Sequence, residues 1–527
     1  MRNVIKIFIC CTFLYSFSSC SDFLERPVLG QENIDTYFQT EKECLKQLAG
    51  AYQGVFWDDW WQVAAPSVGF EMASDDLWMG NTTQSQSDWI RMAHYGNPSQ
   101  DGPISNYWQY RYKAILRCNI VISKVSAAPI TNEDLRKRII AEAKFLRAFN
   151  YFELVKNFGG VPIVLEMKLP SEVQGITRSS IQDTYKQIEQ DLQDAIAGLP
   201  LRSEYPSADL GRATKGAAMG YLGKAYLYQE KYNEAAQILG EIIQSNEYDL
   251  LPNFGDVWSI SHNNSIESLF EVQYSSTISY NLGGRLPVFT GSRNDAGWSW
   301  GLPTSNLEKA FIDAGDTERL KWTIVKNGDD VPGDDAPEAQ DYVIAPGDHK
   351  SGRINRKFYI PHSLRAKPYD ANHNNLNHRL LRFADVLLMY AEATNALGRD
   401  GDARQALNRV RGRASVNLPA ITSSGTALRD AIRRERRLEL ALEFQRLYDI
   451  RRWKDDNGKR AIANIMGPNG SFVKYNLQES TDEYERANQR ESSDKGSTFQ
   501  ENRDLLFPIP NTEVQLSGGS IVQNPNF

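Results

Sequence analysis

The chain has 527 residues, 41% of them hydrophobic, which is enough apolar material for a sizeable buried core. A formal net charge of −7 excludes the broad basic surface with which nucleic-acid proteins neutralise phosphates, and it disfavours strongly anionic ligands. Of five cysteines only Cys44 and Cys118 fall past the opening segment, expected as buried free thiols; no disulfide framework exists, and without CxxC or HExxH spacing no zinc site is signalled.

Arg2 and Lys6 border a short apolar run, Ile5 to Phe17, that ends in Ser18, Ser19 and Cys20. A charged start, an apolar stretch too short to cross a bilayer and small residues at its end describe an export signal over 1–19. The Ser-Ser-Cys ending resembles a bacterial lipobox, with Phe17 where such boxes usually carry Leu. It makes Cys20 the expected site of lipidation, which tethers a soluble domain to a membrane through acyl chains alone.

Farther along, Trp57, Trp60 and Trp61 sit beside Val55 and Phe56 after a helical stretch and read as core. Apolar residues at spacings of three and four predict helices over Ser105 to Val125, Asn132 to Phe158 and Ser179 to Leu199, with Ser179 as an N-cap and Gly159-Gly160 before Pro162 as a stop. Met219, Leu222, Gly223, Tyr226, Ala235, Leu239 and Ile242 fall at the offsets of a tetratricopeptide helix pair, where small residues let two helices approach. Leu387, Tyr390, Ala391, Thr394, Ala403, Leu407 and Val410 repeat the pattern, with Thr394 where it calls for Tyr. Such pairs must stack to bury their faces.

Between the two copies, 249–304 and 323–378 are rich in Gly, Pro, Asn, Ser and Asp, and loops of that size usually carry function. Leu428 to Trp453 reads as one helix dense in charge, its arginines paired with Asp430 and Glu439 on its own face. The expected fold is mostly α: a helical-repeat core drawn from about 41–56, 105–248 and 379–456, bearing an irregular face with short strands from about 57–100 and 249–378, all in one domain over 20–527.

Several segments taken together resemble one family. They are Cys20 to Pro27 (CSDFLERP), Ala141 to Ala148 (AEAKFLRA), Asn157 to Ile163 (NFGGVPI), Arg382 to Glu392 (RFADVLLMYAE), Leu407 to Ala414 (LNRVRGRA), Glu435 to Glu443 (ERRLELALE), Tyr448 to Trp453 (YDIRRW), Phe507 to Pro510 (FPIP) and Gln523 to Phe527 (QNPNF). In this order they look like the SusD/RagB proteins of Bacteroidetes, the capture subunits of outer-membrane nutrient importers. The resemblance implies about four tetratricopeptide-like pairs on one side, a ligand-bearing half on the other, and no catalysis. It also implies a TonB-dependent outer-membrane barrel as partner, packed against the helical half. Asp22 and Glu25 are similar to the signal that sends such lipoproteins to the cell surface.

Glycoside hydrolysis needs two carboxylates across one bond, and Asp75, Asp76 and Asp88 are available, but spacing selects no pair. No GxSxG elbow, Walker loop or dinucleotide fingerprint is present. His349, His362, His373 and His378 share one loop-rich region without metal-ligand spacing, so no metal or cofactor is expected, and a calcium ion is not signalled.

Binding of an oligo- or polysaccharide fits better. Sugars present flat C–H faces and rings of hydroxyls, so a platform needs exposed aromatic rings with hydrogen-bonding side chains beside them. Two loop segments combine both. One holds Asp75, Asp76, Trp78, Asn81, Trp89, Tyr95 and Asn97; the other holds Tyr280, Asn281, Arg293, Asn294, Asp295, Trp298 and Trp300. Trp78 and Trp298 lead, with Asp76, Asn81, Arg293 and Asp295 as partners, although burial competes evenly with exposure for each of these tryptophans. Uptake of peptides, a surface glycoside hydrolase and a repeat scaffold for protein ligands are the alternatives.

Overall fold

The helices begin where side-chain oxygens can take up the unbonded N–H groups of a first turn. Thr40 and Glu43 form a capping box for α1 (Glu41–Tyr52), which is followed by α2 (Ala64–Glu71) and α3 (Gly102–Ala127). Asn132 caps α4 (Glu133–Phe158) through the Leu135 N–H at 3.0 Å, and Gly159, at φ 76°, ends it in a conformation that a Cβ would strain. The cap of α5 (Ile181–Gly198) is Ser180 rather than the expected Ser179: its hydroxyl accepts from the Asp183 N–H at 2.9 Å, while the Ser179 N–H is committed to the Val161 carbonyl. Then come α6 (Lys215–Tyr228), α7 (Tyr232–Gln244), the short α8 (Leu286–Thr290), α9 (Phe383–Ala396), α10 (Asp400–Arg411), α11 (Gly425–Glu439) and α12 (Arg446–Arg452).

This computed structural model describes residues 37–55, 64–79, 87–96, 98–100, 102–168, 172–173, 175–280, 282–337, 351–479 and 495–527. The signal segment, Cys20, Asp22, Glu25, Trp57, Trp60, Trp61, Asn81, Asn97, Asn281 and His349 lie outside the described residues.

Four helix pairs make the mostly helical core: α1 with α3, α4 with α5, α6 with α7, and α9 with α10. The stack is continuous, because α5 packs on α6 and α7 on α9 although 245–382 intervene. The small residues of the repeat set these contacts: a Cβ at Gly223 would lie 2.6 Å from Leu239, and Ala235, Ala391 and Ala403 have no exposed surface. Thr394 is buried too, its hydroxyl donating to the Tyr390 carbonyl at 2.7 Å, which satisfies the polar atom that replaces a ring. Cys44 and Cys118 are buried free thiols, and burial pushes Cys118 up to about 12. Among the described residues no helix is long and apolar enough to cross a membrane.

Among the described residues, three two-stranded antiparallel ribbons frame the irregular half: β1 (Leu77–Trp78) with β3 (Leu302–Pro303), β2 (Ser268–Val272) with β6 (His378–Arg382), and β4 (Ile324–Lys326) with β5 (Arg353–Asn355). One long excursion therefore leaves at the end of β2 and returns at β3, and a second runs from β5 to β6. An isolated bridge between Gly284 and Asn374 sews the two together.

The charged stretch Leu428 to Trp453 differs from its expected form. It breaks at 440–445 into α11 and α12, and Leu442 and Phe444 there adopt φ of 64° and 60°. Nor do its charges pair chiefly along its own face. Arg436 binds Asp385 and Asp449, Arg437 binds Asp76, and Glu439 accepts from Arg319, Arg382 and Arg413. A buried charge requires a partner wherever the fold brings one, and here the partners come from α9, α12, the helix Thr317–Thr323, β6 and the loops around α11.

Candidate functional site

The excursion between β2 and β3 is held in a doubled-back shape by its own backbone. Past α8, the N–H groups of Trp298, Ser299 and Trp300 donate to the carbonyls of Val288, Gly291 and Phe289 at 2.6, 2.9 and 2.8 Å. The fold-back brings Gly297 so close to Gly291 that a Cβ at 297 would lie 2.2 Å from the Gly291 carbonyl carbon. Its aromatic residues Phe289, Trp298 and Trp300 meet Trp89 of the helix Ser87–Ala93 in a cluster of tilted and edge-on rings. Trp89 and Trp300 are interior, with ring centroids 5.8 Å apart, and Trp298 follows at 5.7 Å from Trp300 and 5.3 Å from Phe289. Trp298 is only half-buried, so it is the most exposed ring of that cluster. Tyr280, on the same excursion, is 66% exposed.

Arg293 and Asn294 are exposed beside Trp298, whereas Asp295 turns inward. Its two carboxylate oxygens each accept from Arg365 at 2.6 Å, and His362 Nε2 lies 3.3 Å away. His362 Nδ1 in turn lies 2.7 Å from Asp334 Oδ2, which also accepts from the Tyr359 hydroxyl and the His362 N–H. Burial pushes the Asp334 carboxyl up, but these donors outweigh it and hold it below the usual carboxylate range. His373 is paired with Asp370 at 2.8 Å. Among the described residues no group of three or more His, Cys, Asp or Glu is placed to hold a metal ion.

Of the expected platform residues, Tyr280, Arg293, Asp295 and Trp298 belong to this one surface excursion. Trp78 does not offer a face. It is 2% exposed, pinned in β1 by pairing with β3, with Phe472 at 6.0 Å and the Lys495 ammonium over its ring at 5.1 Å. Trp89, Trp300 and Tyr95 are likewise buried. Asp75 and Asp76 are internal anions rather than hydroxyl acceptors at a surface: Asp75 bonds Arg446 at 2.8 Å and Asp76 bonds Arg437 at 2.7 Å. Burial alone would raise the Asp75 carboxyl, yet Arg437 and Arg446 together hold it well below its ordinary value. Asp88 forms a surface pair with Arg91. The expectation passed over Arg365 and Tyr369 and weighed His362 only as a metal ligand. The only signal for them was their place in the loop-rich stretch 323–378.

Residues 267–527 match the family model described as the SusD family, and 22–227 match one described as starch-binding associating with outer membrane. The chain belongs to the SusD/RagB family. A SusD-like protein of Formosa agariphila, P2, is 28% identical, with 98% of each chain covered. A solved laminarin-binding SusD-like protein is 27% identical at a TM-score of 0.75, covering 93% of this chain and all of that one. A SusD-like carbohydrate-binding protein from Bacteroides fragilis is 25% identical at 0.76, covering 91% and 99%. In SusD/RagB terms, the four helix pairs are the repeat half of this chain, and the interlocked excursions after β2 and β5 are its irregular half.

Proposed function

We propose that this SusD/RagB protein captures an oligo- or polysaccharide on the face of its first excursion. Tethered at the outer surface of the outer membrane through Cys20, it then hands the glycan to a TonB-dependent barrel packed against its helical half. The observation that carries the reading is Tyr280, a large ring left 66% exposed on the excursion that also presents the half-buried Trp298 and the exposed Arg293 and Asn294. Flat apolar rings flanked by hydrogen-bonding groups are what a sugar face and its hydroxyls require. The names of the laminarin-binding and carbohydrate-binding structural relatives support the same ligand class.

Binding without turnover is supported by the state of the carboxylates. Asp295, Asp334 and Asp370 on this face are committed to Arg365, His362 and His373, and Asp75 and Asp76 to Arg446 and Arg437, so none of these five is left unpaired to act across a glycosidic bond. The deciding experiment is affinity electrophoresis of the soluble chain from Ser21 onward in gels containing laminarin, starch, xylan, mannan or pectin, with reducing-end release measured in parallel. Retardation by at least one glycan without release is expected. Release of sugar ends, or retardation by none, overturns the reading. Co-purification of the full-length protein with an outer-membrane barrel tests the hand-off.

A further inference from the structure

We infer that the glycan platform extends onto a second loop, 361–373, with Tyr369 as an additional stacking ring and Arg365 as the residue that positions it. The inference rests on the reading of the first excursion as the glycan face and adds to it a subsite from a distant part of the chain.

Arg365 is fully committed to protein partners. Both terminal nitrogens grip Asp295 at 2.6 Å, Nε donates to the Ile360 carbonyl at 2.9 Å, and its side chain is 9% exposed. A guanidinium so occupied has little left to offer a ligand, and its fork geometry instead fixes two segments relative to each other. The segments are the 292–298 turn, where Trp298 follows Asp295 by three residues, and the loop that carries Tyr369. The guanidinium carbon also lies over two aromatic rings, 4.6 Å from the centroid of Tyr369 and 5.3 Å from that of Tyr359. Tyr359 is buried at the base of the loop, whereas Tyr369 is half-buried and keeps part of its ring at the surface. One arginine thus orders a surface ring on one loop by bonding to the loop that presents Trp298. The Gly284 to Asn374 bridge joins the two excursions at a second point.

A two-loop platform favours a glycan chain long enough to lie across both, so the contribution of Tyr369 should depend on ligand length. The test is affinity electrophoresis and calorimetry of the soluble chain with the retarding polysaccharide from the panel above and with its oligosaccharides of increasing length. Tyr369→Ala is expected to weaken polysaccharide binding about threefold to tenfold, with an effect that vanishes for the shortest oligomers that still bind, and Tyr369→Phe to bind as wild type. Arg365→Ala should match the Tyr369→Ala loss, and Arg365→Lys should recover part of it. If Trp298→Ala weakens binding and Tyr369→Ala does not, the platform ends at the first excursion and the extension is wrong. If Arg365→Ala lowers the melting temperature but leaves affinity intact, Arg365 is structural only. Should Arg365→Ala fail to fold, the two Tyr369 variants decide the matter. If no glycan retards the wild type, the capture reading itself falls, an outcome separate from all of these.

Discussion

Arg382 and Glu439 meet at 2.6 Å with neither side chain reaching solvent. Arg382 comes from β6 and also binds Glu267 and Glu443; Glu439 comes from the end of α11 and also accepts from Arg413 and Arg319. The pair therefore joins the β2–β6 ribbon to the helical stack. Burial would push the Glu439 carboxyl up, but Arg413, Arg382 and Arg319 reverse this and hold it well below the ordinary range. Removing one member leaves the others as uncompensated buried charges. Glu439→Gln is expected to cost about 3–5 kcal/mol in urea unfolding, and a loss under about 1 kcal/mol would show that the remaining carboxylates carry the network without it.

Glu71 lies at the opposite extreme. Burial, reinforced by the charge of Asp76, pushes its carboxyl up to about 8 against the backbone N–H groups of Leu447 and Arg446. The folded chain therefore keeps a proton that the unfolded chain releases near 4.5, so the associated stability is complete below that value and is lost as pH rises through about 8. Urea midpoints taken at several pH values should fall across that window. Glu71→Gln, which cannot ionise, should flatten the fall, and an unchanged slope would assign it to another group.

Trp78 and Tyr280 should separate stability from binding. Trp78→Ala empties a packed site between β1, Phe472 and Lys495 and is expected to cost about 3–5 kcal/mol. Tyr280→Ala, at an exposed position, should stay within about 0.5 kcal/mol of wild type in stability. It should nevertheless weaken glycan retention by up to about tenfold. Thermal melts and affinity gels on both variants check this, and the reverse pattern would misplace the platform.

Gly297→Ala probes the brace behind Trp298. The added Cβ would lie 2.2 Å from the Gly291 carbonyl, so the fold-back must open and Trp298 must shift. Overpacking of this kind costs about 1–3 kcal/mol, and glycan retention should fall with it. Retained affinity would mean that the loop tolerates the change without moving its rings.

The helical half was legible because its signals are local. Caps such as Asn132, the stop at Gly159 and the small residues Gly223, Ala235 and Ala403 act within one helix or between chain neighbours, and periodicity records which face each helix buries. Charge pairing read along one helix failed for Arg436 and Glu439, since spacing lists the partners within reach of a helix but not those that packing brings closer.

What the chain determines by itself, then, is the order of helix pairs, their caps, and the two long stretches left over for loops. Which loop aromatics reach the surface was decided only by the tertiary structure. Trp78 and Trp298 stand in similar polar surroundings in sequence, yet pairing with β3 and the cover of Lys495, more than four hundred residues on, bury the first and leave the second at an edge. Arg365 and Asp295 are seventy residues apart and meet in a bidentate contact that no spacing rule anticipates. Exposure of a loop side chain depends on which distant segments close over it, whereas the burial pattern of a helix repeats every turn and is written in the helix itself.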